Sequence, residues 1–176
     1  LIQGGTLVDG SGSAKRLADI VVKDGLIHAV ELPGSVEPAQ CSDCIDATGM
    51  LVTPGFVDPH THYDGQATWD DRLSPSSEHG ITTAVMGNCG VGFAPVRPGS
   101  EDFLIALMEG VEDIPGSALA DGIDWSWESF SEYLDVLESM PRTIELATQV
   151  PHGAIRAYVL GRTGDVNRTA TRREID

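Results

Sequence analysis

Positive charge, cysteine and long apolar runs are all scarce in this chain. Eleven Lys and Arg stand against 27 Asp and Glu, a net charge of −16 over 176 residues. Nucleic acid and anionic membrane surfaces both demand a basic face, so this balance argues against either as a partner. Three cysteines, Cys41, Cys44 and Cys89, are too few and too unevenly placed for a disulfide framework. No apolar run approaches the roughly 20 residues of a membrane span. No charged-then-apolar segment opens the chain, so the cytoplasm is the expected location. What is present, 41% hydrophobic residues, is ordinary for a globular protein. The length suits one domain, or one domain with part of another. Residue 1 is Leu, already inside an apolar stretch, and Thr169–Asp176 reads as the first turn of a helix. Both ends lead us to expect a segment of a longer protein.

The first part of the chain, residues 1–52, reads as a small antiparallel β unit. Ala18–Lys23 and Leu26–Val30 flank Asp24-Gly25, whose residues tolerate positive φ and so predict a hairpin. Short β stretches follow at 44–47 and 50–52. From residue 53 to 176 the pattern turns to alternating strand and helix. Strands are expected at Phe56–Asp58 (short and buried), Thr82–Met86 and Glu145–Val150. A short helix is expected at Pro75–His79, closed by Gly80. Longer helices are expected at Glu101–Glu109, capped by Ser100, and at Trp127–Met140, capped by Ser126. The first should bury Phe103, Leu104, Leu107 and Met108, and the second Phe130, Tyr133, Leu134 and Leu137. This alternation predicts an α/β fold with a parallel sheet, where chemistry collects beyond strand C-termini. His60, His62, Cys89 and His152 all stand at such positions.

The stretch Pro54-Gly55-Phe56-Val57-Asp58-Pro59-His60-Thr61-His62 carries most of the chemical information. Residues i and i+2 of extended backbone point to one side, so His60 and His62 converge, as a metal ion requires. Pro59 cannot donate to a ladder and should end the strand just before them. Neutral imidazole and thiolate are ligands of zinc, and Cys89 closes the next apolar run. The three make a candidate zinc site able to polarise a carbonyl and activate water. Asp58 is a candidate to orient one imidazole through its second ring nitrogen, and Asp64 is a further candidate for such support.

Three segments resemble a known family. Gly4-Gly5-Thr6-Leu7-Val8-Asp9-Gly10, Ile45-Asp46-Ala47-Thr48-Gly49 and Pro54–His62 look like the opening of the amidohydrolase superfamily. His79-Gly80-Ile81-Thr82-Thr83 and Gly87-Asn88-Cys89-Gly90-Val91-Gly92-Phe93-Ala94-Pro95 are similar to its D-aminoacylase branch, the N-acyl-D-amino-acid deacylases. The resemblance implies a small β-sandwich followed by a metal-bearing (β/α)8 barrel, with the His-x-His after the first barrel strand. It implies that Cys89 is a metal ligand in place of a carboxylated lysine; the only lysines here, Lys15 and Lys23, precede His60. It further implies one or two Zn2+, hydrolysis of linear amides of the N-acyl-D-amino-acid type, and a general-base aspartate beyond Asp176. The barrel would be truncated at about three strands, and this segment alone is expected to be inactive.

Plainer readings stand beside these. Alternative roles for Cys89 are a small buried apolar residue, or a nucleophile with His79 or His152 as base. A non-catalytic member of the fold is a further alternative. His152 and Arg97 are candidate substrate-binding residues, since a substrate carboxylate suits a guanidinium. Arg72 and Arg156 compete for that role, and all three arginines also read as surface residues. Cys41-x-x-Cys44 reads as a loop, His79 as a helix-terminal residue, and Trp69 as packing or pocket wall.

Overall fold

A computed structural model describes residues 1–161 and 168–175, with the chain dividing into two units, Leu1–Pro54 and Gly55–Asp176. The first unit is a five-stranded sheet of β1 (Ile2–Leu7), β2 (Arg16–Lys23), β3 (Leu26–Glu31), β4 (Ile45–Asp46) and β5 (Leu51–Val52). The hairpin forms as expected: β2 and β3 pair antiparallel across Asp24 and Gly25, whose φ values are 52° and 76°. The unit is not purely antiparallel, however. β1 pairs parallel with both β4 and β5, because the chain crosses back through the 33–43 loop before returning beside β1. Leu7, Ala18 and Ile20 form its small buried core. Asp19 is fully buried there and accepts the Gly4 and Gly34 amides, each at 2.8 Å, so its charge is well hydrogen-bonded.

The second unit bears out the α/β expectation. β6 (Phe56–Asp58), β7 (Ile81–Met86) and β8 (Glu145–Thr148) run parallel in that order. Around them lie α1 (Glu101–Glu112), α2 (Gly116–Gly122), α3 (Phe130–Ser139), α4 (His152–Leu160) and α5 (Arg172–Ile175). Ala84 and Met86 of β7 are fully buried, packed with Leu104 and Met108 of α1 and Tyr133 and Leu137 of α3. Each large side chain in this cluster contributes roughly 1.5–3 kcal/mol of burial free energy. Pairing of Asp58 with Ala84, and of Met86 with Thr148, aligns the C-terminal ends of the strands. The segments leaving all three therefore emerge along one edge.

Several local expectations need correction. Among the described residues β6 has only β7 as a strand neighbour, so Phe56 and Val57 are each 60% exposed rather than buried. Ser100 makes no side-chain cap to α1. The start of α3 lies three residues later than the apolar pattern suggested. Ser129, not Ser126, caps it, because Ser129 and Glu132 complete a capping box. Leu134 faces outward at 42% exposure. The Pro75–His79 helix is a 3-10 turn over Ser76–His79, closed by Gly80 at φ 82° as anticipated. α5 begins the terminal helix read from the sequence, with Asp176 outside the described residues.

Candidate metal centre

Regular pairing of β6 stops at Asp58, directly before Pro59, and the next residues swing across the strand ends. The i, i+2 relation of His60 and His62 survives in this irregular segment: their ring centroids lie 5.4 Å apart, edge to face. Cys89 arrives from the other side in the turn after β7. One ligand atom from each of His60, His62 and Cys89 lies within 4.8 Å of the other two. His60 Nε2 is 3.3 Å from Cys89 Sγ.

Local backbone explains how the cysteine gets there. Gly87, Cys89 and Gly90 all take left-handed conformations, at φ 77°, 53° and 76°. For a non-glycine residue such as Cys89 this costs on the order of 1 kcal/mol, so the surroundings must hold it. Asn88 does so. Its amide Nδ2 donates to the Val85 carbonyl at 2.9 Å and the Thr61 carbonyl at 3.3 Å, while its Oδ1 accepts from Gln149 Nε2 at 2.8 Å. One buried side chain thus ties together the exits of all three strands. Thr61, between the two histidines, adds backbone and hydroxyl bonds to Val85 O, each 2.9 Å.

His62 is the more enclosed imidazole, with its side chain 14% exposed. Neither of its ring nitrogens has a hydrogen-bond partner among the described residues. Nδ1 faces Asp64 Oδ2 at 3.9 Å, and Nε2 faces Glu112 Oε1 at 3.3 Å. Burial lowers the pKa of His62, partly opposed by Glu112, which favours the neutral ring that a metal needs. Burial likewise pushes the Asp64 carboxyl up to about 7, although the Gly87 amide and its own backbone stabilise the charged form. Tyr133 of α3 donates its hydroxyl to the Asp64 carbonyl at 2.7 Å, fixing this corner of the loop. The Cys89 thiol is raised above its usual range, chiefly by the Glu112 carboxylate.

The remaining candidates scatter. Asp58 accepts the His60 backbone amide at 3.1 Å, a turn contact, and it is Asp64 that faces an imidazole nitrogen instead. His152 opens α4 and is exposed; its Cβ lies near Gly90, but it is not in the ligand cluster. Arg97 stacks its guanidinium over the Tyr158 ring at 5.0 Å, and Arg156 donates to the Arg168 carbonyl at 2.9 Å. Arg72 is exposed, and Trp69 packs against Gly122. His79 precedes β7 and so sits at the opposite end of the strand from Cys89. That placement removes His79 as a base for Cys89. Cys41 and Cys44 are free thiols in the first unit. Sequence reasoning missed Asn88 and Glu112. The helix expected to end at Glu109 runs on to Glu112, so the acidic residue in its last turn, where the dipole favours cations, shows only in the structure.

The profile described as "Amidohydrolase family" matches residues 43–175. The chain belongs to the amidohydrolase family. This amidohydrolase is 35% identical over 175 residues to a D-aminoacylase of Alcaligenes xylosoxydans xylosoxydans, covering 99% of the chain and 33% of that relative. It is 32% identical over 180 residues to an N-acyl-D-aspartate deacylase of the same organism, covering 100% of the chain and 33% of the relative. Among solved structures it is similar to a crystal structure of D-aminoacylase, at TM-score 0.76 and 34% identity, over 99% of the chain and 33% of that protein. It is also similar to an N-acyl-D-glutamate deacylase of Bordetella bronchiseptica complexed with zinc and a phosphonate inhibitor. That match has TM-score 0.71 and 30% identity, over 98% of the chain and 33% of the other. The chain spans about a third of the length of these relatives.

Proposed function

We propose that this amidohydrolase is the part of a metal-dependent hydrolase of linear amide C–N bonds that supplies His60, His62 and Cys89 to zinc, and that its substrates are N-acyl-D-amino acids or close analogues. The observation that carries the reading is the convergence of three zinc-type donor atoms within 4.8 Å at the aligned strand ends. The similarity to D-aminoacylase and to the N-acyl-D-aspartate and N-acyl-D-glutamate deacylases supports the substrate class. A bound Zn2+ supplies Lewis acidity and lowers the pKa of water from 15.7 to about 7.

The residues of this chain perform the holding and orienting. His62 Nδ1 faces Asp64, which leaves Nε2 as the nitrogen the ring can offer to an ion. Cys89, charged once its proton leaves, balances part of the charge of a dication in a half-enclosed setting. The general base is an aspartate outside these 176 residues, consistent with a segment that contributes ligands without completing the catalytic set. Metal analysis of the complete protein tests the proposal. Wild type should carry zinc and release the acyl group of an N-acetyl-D-amino acid, and Cys89→Ala should lose both. Full zinc content and an unchanged rate in Cys89→Ala would overturn the assignment.

A further inference from the structure

We propose that Glu112, the last residue of α1, is a further metal-binding carboxylate of this centre. The inference rests on the reading that His60, His62 and Cys89 hold an ion. It starts from an approach that ordinary hydrogen bonding does not explain. Glu112 Oε1 lies 3.3 Å from His62 Nε2, yet His62 Nε2 has no partner of hydrogen-bond geometry among the described residues. Two ligands of one tetrahedral zinc, nitrogen at about 2.0–2.1 Å and oxygen at about 2.0–2.2 Å, stand about 3.4 Å apart. The observed 3.3 Å spacing is close to that of two donors sharing one ion.

Placement and charge point the same way. A carboxylate in the last turn of a helix opposes the macrodipole, and here Glu109, Glu112 and Asp113 crowd that end. Glu109 has a structural use, accepting the Gly116 amide at 3.1 Å. Glu112 instead turns inward, its side chain 21% exposed, with Oε1 at 3.3 Å from His62 Nε2. A dication there offsets the unfavourable charge at the helix end. Two neutral imidazoles, one thiolate and one carboxylate also sum to the two negative charges that neutralise Zn2+ in a partly desolvated site.

The decisive measurement is metal affinity in the complete protein, stripped of metal and titrated with Zn2+ against a chromophoric chelator. Glu112→Gln, matched in size and uncharged, should bind zinc about 10–100-fold more weakly than wild type. Glu112→Asp, which keeps the charge on a shorter arm, should recover part of the loss, and Asp102→Asn at the exposed start of α1 should bind like wild type. Equal or tighter binding by a folded Glu112→Gln overturns the proposal; tighter binding would mean that the carboxylate only fills the ion's place and competes with it. Co2+ substitution keeps the two levels apart. A thiolate-to-cobalt charge-transfer band in wild type, retained in Glu112→Gln with altered d–d absorption, supports the extra ligand. Absence of that band in wild type would instead remove Cys89 from the centre and with it the parent reading.

Discussion

Replacing Asn88 by alanine should loosen the exits of all three strands together while leaving the helices intact. Asn88 is 9% exposed and makes three side-chain bonds, to Val85 O, Thr61 O and Gln149 Nε2. Their losses are unequal. Val85 O keeps two bonds from Thr61, and the exposed Gln149 can turn to water, so each of these costs about 0.5–1 kcal/mol. The Thr61 carbonyl, in a residue 8% exposed, gives up a buried partner at about 1 kcal/mol or more. The sum is about 2–3 kcal/mol, felt locally. Native-state hydrogen exchange on the metal-free complete protein reads it directly. The Thr61 amide, which donates to Val85 O at 2.9 Å, and the Gln149 amide, which donates to Met86 O at 2.9 Å, should lose about 30–100-fold of protection. The Tyr133 amide at the start of α3 should change little. Asn88→Asp should be worse than alanine, because it sets a carboxylate against two carbonyl oxygens. Thr61 protection within about twofold of wild type in Asn88→Ala would refute the claim that this side chain holds the site together.

Two further outcomes follow from the same region. Gly87→Ala should lower stability by more than about 2 kcal/mol and deplete bound zinc, because φ is 77° and a Cβ would strike the Gln149 carbonyl; Gly99→Ala, at φ 82° with open space, should cost only about 1 kcal/mol. Thermal unfolding of the two variants compares them, and equal losses would remove the steric argument. Asp64 sets a pH dependence: its carboxyl is raised from 3.8 to about 7, so between those values the unfolded chain gives up its proton first and stability falls as pH rises, levelling above about 7. Asp64→Asn should abolish that fall in metal-free protein, a difference of up to about 4 kcal/mol across the window; parallel stability profiles for the two proteins would count against it.

Much of this was readable from short stretches of chain. Asp24-Gly25 announced its hairpin because both residues reach positive φ cheaply, and Pro59 announced the end of β6 because it has no amide to give. The His-x-His and the cysteine turn were legible for the same reason: each is a local constraint written in consecutive residues. Failures came where neighbours decide. Phe56 and Val57 read as buried because apolar strand residues usually gain cover from both sides, and among the described residues of a chain spanning about a third of its relatives' length β6 has a strand on one side. The parallel partners of β1 lie some 40 residues away, and two-residue strands carry no periodicity from which direction can be inferred. Ser126 and Ser129 are equally good caps by type, and only the Glu132 carboxylate distinguishes them.

The site divides along the same line, and the division says where its precision resides. His60 and Cys89 are exposed, so burial of the ligands themselves cannot hold their geometry. The buried groups beside them do so: Asn88 across three exits, Thr61 on Val85, and the Asp64 carbonyl under the Tyr133 hydroxyl, 69 residues away in sequence. A candidate ligand motif can be recognised from its own residues, whereas a support is defined by contact across the fold, which explains why the convergence of His60, His62 and Cys89 was legible and its scaffold was not. Glu112 belongs with the scaffold in origin, reaching His62 from a helix 50 residues on, but its chemistry is that of a ligand. Its unfavourable position at a helix C-terminus shows once α1 is seen to run to Glu112 rather than Glu109. A local rule broken without a local reason is where a distant partner should be sought.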